Sequence, residues 1–230
     1  MGEDKRRVAE AAALLVEPGM RLGLGSGSTA LLFVEALGRR VADGLALPAA
    51  VATSRATEEA ARRAGLAIAD MAHEAAPTAL DLAVDGADEV DPALDLVKGG
   101  GACLLREKIV AAMATRFVVI VDGSKRVARL GAFPLPVEVV PFAVAATREA
   151  IAARLGVRPT LRRVDGAPLL TDNGNLILDC PLGAIDDAQR VDAALRAVPG
   201  VVEHGLFLAM ADDVLVGTRG DVERLTAPRQ

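Results

Sequence analysis

From Arg21 to Lys125 the chain repeats one pattern: a short apolar run, a polar turn rich in Gly, Ser or Asp, then a helical run. Such alternation builds right-handed βαβ units and a mostly parallel sheet. The spacing predicts a helix over residues 4–17, stopped by Pro18-Gly19, and a strand over Arg21–Gly25. A turn at Gly25-Ser26-Gly27-Ser28-Thr29 leads into the helical run ALLFVEALGRRVA. A strand at Ala49–Thr53 precedes the helix SRATEEAARRAG, which Gly65 ends. Further strands are expected at 66–70, 80–84 and in RFVVIVDGSK, with a helix over 103–114. Ligands of open parallel sheets lie beyond the carboxyl ends of the strands. The polar clusters at 25–29, 85–89 and 122–125 all follow strands, so they should share one sheet edge.

The pattern changes near Gly131. VEVVPFAV reads as a strand, ATREAIAARLG as a helix, and TLRRVDGAPLLTDNGNLILDC as two strands with Asn173-Gly174 in the turn. DDAQRVDAALRAV is helical up to Pro199-Gly200, and VVEHGLFLAM reads as a strand. The order β-α-β-β-α-β is that of a ferredoxin-like module, placed here over residues 131–207. The tail DDVLVGTRGDVERL reads as a strand returning to the first sheet. The larger domain is thus expected at 1–130 plus 208–230, with the smaller α+β domain inserted.

The apolar content is 52%, yet aromatic residues are only 2% and Trp and Tyr are absent. Ala, Val and Leu must therefore build the core, which suits α/β layers. A net charge of -5 and few aromatic platforms argue against nucleic-acid partners. The apolar runs are too short to span a bilayer, and Gly2-Glu3-Asp4 does not open a signal peptide. Cys103 and Cys180 lack metal-type spacing. A cytoplasmic chain without membrane partners is the expectation.

Between Leu82 and Met113 the sequence concentrates chemistry: LAVDGADEVDPALDLVKGGGACLLREKIVAAM. Asp85 and Asp88 follow a strand closely enough to crowd one pocket, where like charges raise a pKa and create a proton donor. Turn formation and capping would use the same residues. A metal is disfavoured because Asp85, Asp88 and Asp91 lack calcium-loop alternation and no His or Cys is near in sequence. Lys98 precedes Gly99-Gly100-Gly101, whose backbone can approach a ligand and turn N–H groups toward an oxyanion; a floppy loop with a solvated lysine is the alternative. Glu107 has Cys103, Leu104, Val110 and Ala111 as helix-surface neighbours, an apolar wall suited to a general base. An ordinary Arg106-Glu107-Lys108 polar face is the other reading, and periodicity does not decide between them. The turn at 25–29 places backbone N–H groups and hydroxyls at a helix start, an anion-binding arrangement, or simply a tight βα turn. His73, His204 and Cys103 read as packing or surface residues.

Taken together, GSGSTA, TSRATEEAARRAG, DGADEVDP, KGGGACLLREKI, VDGSKRV and NGNLILDC resemble ribose-5-phosphate isomerase of type A, in motif order from about Lys5 to Leu225. The resemblance implies a Rossmann-like α/β domain with a smaller α+β domain, and homodimers or homotetramers. It implies interconversion of D-ribose 5-phosphate and D-ribulose 5-phosphate in the non-oxidative pentose phosphate pathway, with no metal or organic cofactor. By the same resemblance Glu107 is the proton acceptor, and Asp85, Asp88 and Lys98 open the sugar ring and stabilise the oxyanion. Ser26, Gly27, Ser28 and Thr29 match the substrate loop, with Lys125 and Lys5 as further contacts. Gly86, Ala87, Gly99, Gly100 and Gly101 match backbone contacts. Ser26 stands where Thr is common, which keeps the hydroxyl. His204 precedes Gly-Leu-Phe where a neutral residue is expected.

Two rival functions are weaker. Gly25, Gly27 and Ala30 satisfy a loose dinucleotide pattern, but Thr53-Ser54-Arg55 lacks the acidic residue that holds an NAD ribose, although Arg55 would suit NADP. A sugar-phosphate sensor would need the phosphate turn but no base and usually accompanies a DNA-binding module, whereas here Asp85, Asp88, Lys98 and Glu107 are all present and the chain is expected to have no room for a helix-turn-helix.

Overall fold

The computed structural model describes residues 2–227. In chain order the elements are α1 (Gly2–Ala13), β1 (Leu22–Leu24), α2 (Ser28–Ala42), β2 (Val51–Ala52), α3 (Arg55–Arg63), β3 (Leu82–Asp85), β4 (Glu89–Val90), β5 (Leu96–Val97), α4 (Leu104–Met113) and β6 (Phe117–Asp122). Then come β7 (Leu135–Val139), α5 (Val144–Leu155), β8 (Thr160–Leu161), β9 (Arg163–Val164), β10 (Ala167–Pro168), β11 (Leu176–Cys180), α6 (Ala188–Arg196), β12 (Val201–His204), β13 (Leu206–Phe207), β14 (Asp213–Thr218) and β15 (Asp221–Thr226). The chain divides into two compact units: Met1–Ala87 with Arg106–Lys125 and Met210–Gln230, and Asp88–Leu105 with Arg126–Ala209.

The first unit is built on a six-stranded sheet of order β15-β14-β6-β3-β1-β2. Every neighbouring pair from β14 to β2 is parallel, and only β15 runs antiparallel. This is the mostly parallel α/β sheet that the strand–helix alternation predicts. β3 and β6 are buried at every position, as strands covered on both faces must be. The core uses small aliphatic residues: Val8, Ala9 and Ala12 of α1 and Phe33 and Leu37 of α2 pack with Leu24, Val84 and Ile120 of the sheet. Two expectations need correction here. Residues 66–70 form only an isolated bridge, Ala50↔Ile68, because β2 spans just Val51–Ala52 and offers no longer ladder. The tail is a hairpin rather than one strand: β14 lies parallel to β6, and Gly220 at φ 103° turns the chain into β15.

The second unit carries an antiparallel sheet of order β12-β7-β11-β8. Counted in chain order that is 4-1-3-2, with α5 and α6 as the crossovers, the topology of a ferredoxin-like module. Val137, Val139, Leu178 and Cys180 of the sheet share a core with Ile151 of α5 and Leu195 of α6, and burial pushes the Cys180 thiol up to about 12. The segment expected as one hairpin holds two. Thr171–Asn175 turns the chain at the Leu170↔Leu176 bridge, and Asp165-Gly166, both at positive φ, close β9 on β10. The strand expected over VVEHGLFLAM breaks at Gly205, and its second half joins a three-stranded sheet of order β13-β5-β4. Residues 88–105, contiguous with the larger domain in the sequence reading, belong to this unit. Among the described residues no helix is long and apolar enough to cross a membrane.

In the first unit Asp213, 2% exposed, accepts from Arg116 at 2.9 and 2.7 Å, from Arg224 at 2.8 and 3.0 Å and from the Thr226 hydroxyl at 2.8 Å. Burial alone would raise its pKa, but these bonds outweigh burial and hold it below the ordinary carboxylate range. A depressed folded-state pKa adds stability above the unfolded value, ~3.9, and loses it as pH falls through the folded value. Asp213→Asn should therefore destabilise by about 1–3 kcal/mol at pH 7. Urea unfolding of both proteins should show that gap narrowing below about pH 4.

Candidate active site

At the carboxyl edge of the parallel sheet, β1 ends in the turn that starts α2. The Gly25 N–H donates to the Val84 carbonyl at 2.9 Å, and the Ser26 N–H donates to Asp85 Oδ1 at 2.9 Å. The same oxygen accepts the Gly86 N–H at 2.7 Å. A Cβ on Gly25 would collide with the Asp85 carboxylate, so only glycine lets the two strand ends approach this closely. Gly27, at φ 89°, is the residue before the first turn of α2, and Gly27 and Ser28 are exposed while Ser26 and Thr29 are buried.

Beneath this turn lies a hydroxyl network to which the sequence reading gave no role. The Thr57 hydroxyl donates to the Gly25 carbonyl at 2.9 Å, and Ser26 Oγ stands 2.6 Å from Thr53 Oγ1. Ser54 caps α3 by accepting the Thr57 N–H at 3.1 Å. The signal was present in TSRAT as a Ser/Thr cap, but its second use, bracing a loop that lies far back in sequence, leaves no local trace.

Lys5 of α1 donates to Ser28 Oγ at 3.0 Å and stands 4.0 Å from Asp122 Oδ2. Asp122 ends β6 and accepts the Ser124 N–H at 3.0 Å and the Ser124 hydroxyl. Burial opposes ionisation of Asp122, but the Ser124 bonds and the charges of Lys5 and Lys125 hold its carboxyl below the usual range. Lys125 is half-buried in the single 3₁₀ turn Gly123–Lys125. Turn, Lys5 and the ends of β3 and β6 therefore gather at one edge, as the three polar clusters predict.

Glu107 lies in the first turn of α4 and is 6% exposed. Lys108 is also buried, whereas Ile109 is half exposed, so the residues 106–108 do not form a solvated polar face. The helix reaches the sheet over Gly23, where a Cβ would collide with Val110.

In the second unit, Asp88 Oδ2 accepts the Gly100 N–H at 2.7 Å, and a Cβ on Gly100 would lie 2.6 Å from Asp88 Oδ1. Gly99 has φ 107°, and its Cβ would press on Leu104 at 2.8 Å. The Arg162 guanidinium, held on both oxygens of Asp179, donates to the carbonyls of Gly99 and Gly100 at 2.7 and 3.0 Å. The glycine loop is clamped rather than floppy, and Arg162 is a residue that the sequence reading missed. Lys98 is 2% exposed; its N–H donates to the Gly205 carbonyl at 2.9 Å and its ammonium stands 5.5 Å from the centre of the Phe207 ring.

The neighbouring carboxylates act as braces. Glu89 accepts the Gly131 and Phe133 N–H groups, each at 2.6 Å. Asp91 accepts those of Ala93 and Asp95, and Asp95 that of Ala209. Asp85, Gly86, Ala87 and Glu107 thus belong to the unit of the Ser26–Thr29 turn, and Asp88, Lys98 and the three glycines to the other. Cys103 is half-buried with its thiol 3.2 Å from the Gly101 carbonyl, and His73 is exposed. Among the described residues no cluster of three or more His, Cys, Asp or Glu could hold a metal ion.

This is the layout of an α/β protein with a polar turn at the carboxyl edge of a parallel sheet, the edge at which such sheets bind their ligands. A family model described as ribose 5-phosphate isomerase A (phosphoriboisomerase A) matches residues 49–221. A ribose-5-phosphate isomerase A of Methylorubrum extorquens is 54% identical over 224 residues, covering 94% of this chain and 93% of that protein. The structure of ribose 5-phosphate isomerase A from Methanocaldococcus jannaschii superposes with a TM-score of 0.90 at 41% identity, covering 97% of this chain and 98% of that one. A D-ribose-5-phosphate isomerase in complex with phospho-erythronic acid gives a TM-score of 0.91 at 39% identity, over 97% and 98% of the two chains. The chain belongs to the ribose-5-phosphate isomerase A family.

The clamp on the glycine loop yields a prediction inside the second unit. Arg162→Met should leave the fold intact but speed hydrogen exchange at the Gly100 amide, about 5-fold or more for a lost charged bond worth ~1 kcal/mol or above. Site-resolved exchange measured by NMR would check it.

Proposed function

We propose that this protein interconverts D-ribose 5-phosphate and D-ribulose 5-phosphate through an enediolate, as a step of the non-oxidative pentose phosphate pathway. The observation that carries the reading is membership of the isomerase family along nearly the whole chain, at 54% identity to one member. The phospho-erythronic acid bound by a relative adds support: a phosphorylated aldonic acid presents a planar, charged carboxylate with the shape of an enediolate.

In this reading the phosphate is received by the Ser26-Gly27-Ser28-Thr29 loop, through the N–H groups of Gly27, Ser28 and Thr29 and the hydroxyls of Ser28 and Thr29, with Ser26 tying the loop to Asp85 and Lys5 and Lys125 supplying positive charge. Binding energy from this remote group positions the sugar for proton transfer. Asp85 and Asp88 move the proton that opens the ring, from the C1 hydroxyl to the ring oxygen, with Gly86 and Ala87 as backbone contacts. The Glu107 carboxylate then takes the proton from C2. Electrons move into the C1 carbonyl, and the oxygen that gains negative charge is stabilised by Lys98 and by backbone N–H groups of Gly99, Gly100 and Gly101. Glu107 returns its proton to C1, the C2 hydroxyl proton passes to the negatively charged C1 oxygen, and C2 becomes the ketone. The reaction moves protons within one molecule and is redox-neutral, so its chemistry calls for no cofactor. Assembly as a homodimer or homotetramer and a cytoplasmic location complete the proposal; a doubly charged sugar phosphate is a metabolite that cells retain.

The test uses chelator-treated protein with ribose 5-phosphate and direct detection of ribulose 5-phosphate. Turnover by the parent is expected, and Glu107→Gln should lose roughly 10²–10⁴-fold in kcat while keeping its circular dichroism and phosphate affinity. Near-normal turnover by that variant would overturn the assignment of the base.

A further inference from the structure

His204, for which the family resemblance supplied no role, is fully buried at the end of β12. Its Nδ1 accepts the Leu206 N–H at 3.3 Å. An accepting ring nitrogen carries no proton, so the proton of the neutral ring resides on Nε2. Asp192 Oδ1 of α6 stands 3.0 Å from that nitrogen and Glu203 Oε1 stands 3.6 Å away. Arg196, one turn beyond Asp192, donates from Nε to both Asp192 oxygens at 3.0 Å and approaches Glu203 Oε2 at 3.6 Å. Glu203 in turn accepts the His204 N–H at 2.9 Å. The charged groups around the imidazole include Asp192 and Arg196 from α6 and Glu203 from its own strand. Its register partner on β7, Val137, carries no charge.

The three residues after His204 all bear on Lys98. Gly205 donates to the Pro136 carbonyl at 2.8 Å and accepts the Lys98 N–H at 2.9 Å. A Cβ on Gly205 would collide with the Lys98 carbonyl. Leu206 and Phe207 pair with Val97 and Leu96, and the Phe207 ring lies under the Lys98 ammonium. The His204–Leu206 bond spans the point where the chain leaves the four-stranded sheet for the three-stranded one. It fixes the direction in which β13 departs, and with it the seat of Lys98.

We propose that His204 is a positioning residue for Lys98: by accepting the Leu206 N–H on Nδ1, its ring braces the 204–206 turn and so holds the Lys98 backbone and ammonium in their catalytic place. The proposal rests on the oxyanion role given to Lys98 above. Without an acceptor at this position the buried Leu206 N–H loses its partner, and the turn relaxes beneath the lysine. A second proton on the ring converts Nδ1 from acceptor to donor, and two N–H groups then face each other across the turn.

Three proteins separate this role from a merely structural one. In His204→Asn the side-chain oxygen can still accept from Leu206 but does not titrate; in His204→Leu the acceptor is gone while the volume is kept and a polar group leaves the core. The Leu variant should stay folded by circular dichroism, with a urea midpoint lowered by no more than the lost Leu206 bond accounts for, yet lose roughly 10–100-fold in kcat with KM changed less than 2-fold. The Asn variant should keep kcat within about 3-fold. An activity-independent readout is the NMR signal of the Lys98 ammonium and Phe207 ring, which should shift in His204→Leu and stay in place in His204→Asn. Parent-like kcat and unmoved signals in the Leu variant would overturn the proposal, as would equal losses in both variants. If the parent itself does not turn over ribose 5-phosphate while the signals shift as stated, the isomerase reading falls and the brace on Lys98 stands.

Discussion

One carboxylate oxygen, Oδ1 of Asp85, accepts N–H groups from two chain segments, Ser26 after β1 and Gly86 after β3. Much of the first unit is arranged so that this contact can exist. The parallel register of Leu24 with Val84 brings the strand ends level, the missing side chain of Gly25 permits their approach, and the hydroxyls of Thr57 and Thr53 hold the turn from the α3 side. The exposed backbone at Gly27 and Ser28 is thus supported by buried bonds on the far side. A turn braced this way presents its N–H groups without having to reorganise when an anion arrives, which is the condition for electrostatic binding to be effective.

Much of the architecture was legible because its cause is periodic and local. Strands buried on both faces show as continuous apolar runs, as in FVVIVD, and helices show as a repeating apolar face, as in α1. What was not legible depends on partners distant in sequence. Residues 66–70 carry a strand-like composition, but the length of β2 decides whether a ladder forms. VVEHGLFLAM reads as one strand because nothing inside it reports that Gly205 bonds to Pro136 on one side and to Lys98 on the other. Arg162 looks like any charged residue of a hairpin until Asp179 and the carbonyls of Gly99 and Gly100 are placed around it.

The acidic residues of DGADEVDPALD make the same point within a single stretch. Glu89, Asp91 and Asp95 are spent on loop N–H groups, and burial, the leading influence, with the charge of Asp95 behind it, raises the carboxyl of Asp91. Asp85 and Asp88 also accept backbone N–H groups, but each does so beside a glycine that admits no side chain, Gly25 and Gly100. The sequence shows carboxylates and glycines in the right numbers; which carboxylate meets which glycine is a property of the fold. The resemblance to the isomerase family singled out Asp85 and Asp88 among these acidic residues, but it paired neither with its glycine.

The glycine loop poses an energetic problem, and the second unit answers it with specific bonds. Ordering three successive glycines costs about 1–2 kcal/mol of backbone entropy for each, and more than for other residues because glycine explores the most conformations. Against this stand the Asp88–Gly100 bond and the two Arg162 bonds to the loop carbonyls, each charge-assisted and worth about 1.5–3 kcal/mol. The two sums are of the same size, so the loop can be ordered before any substrate arrives, and loss of one clamp bond would tip it toward disorder. A buried lysine beside such a loop has to be held as well. The Lys98 main chain is tied to Gly205 and its ammonium rests over Phe207, both on the strand that His204 braces. Preorganisation in this unit therefore extends from α6 through an imidazole to the loop, by way of residues such as Asp192, His204 and Phe207 that lie far from Lys98 in sequence.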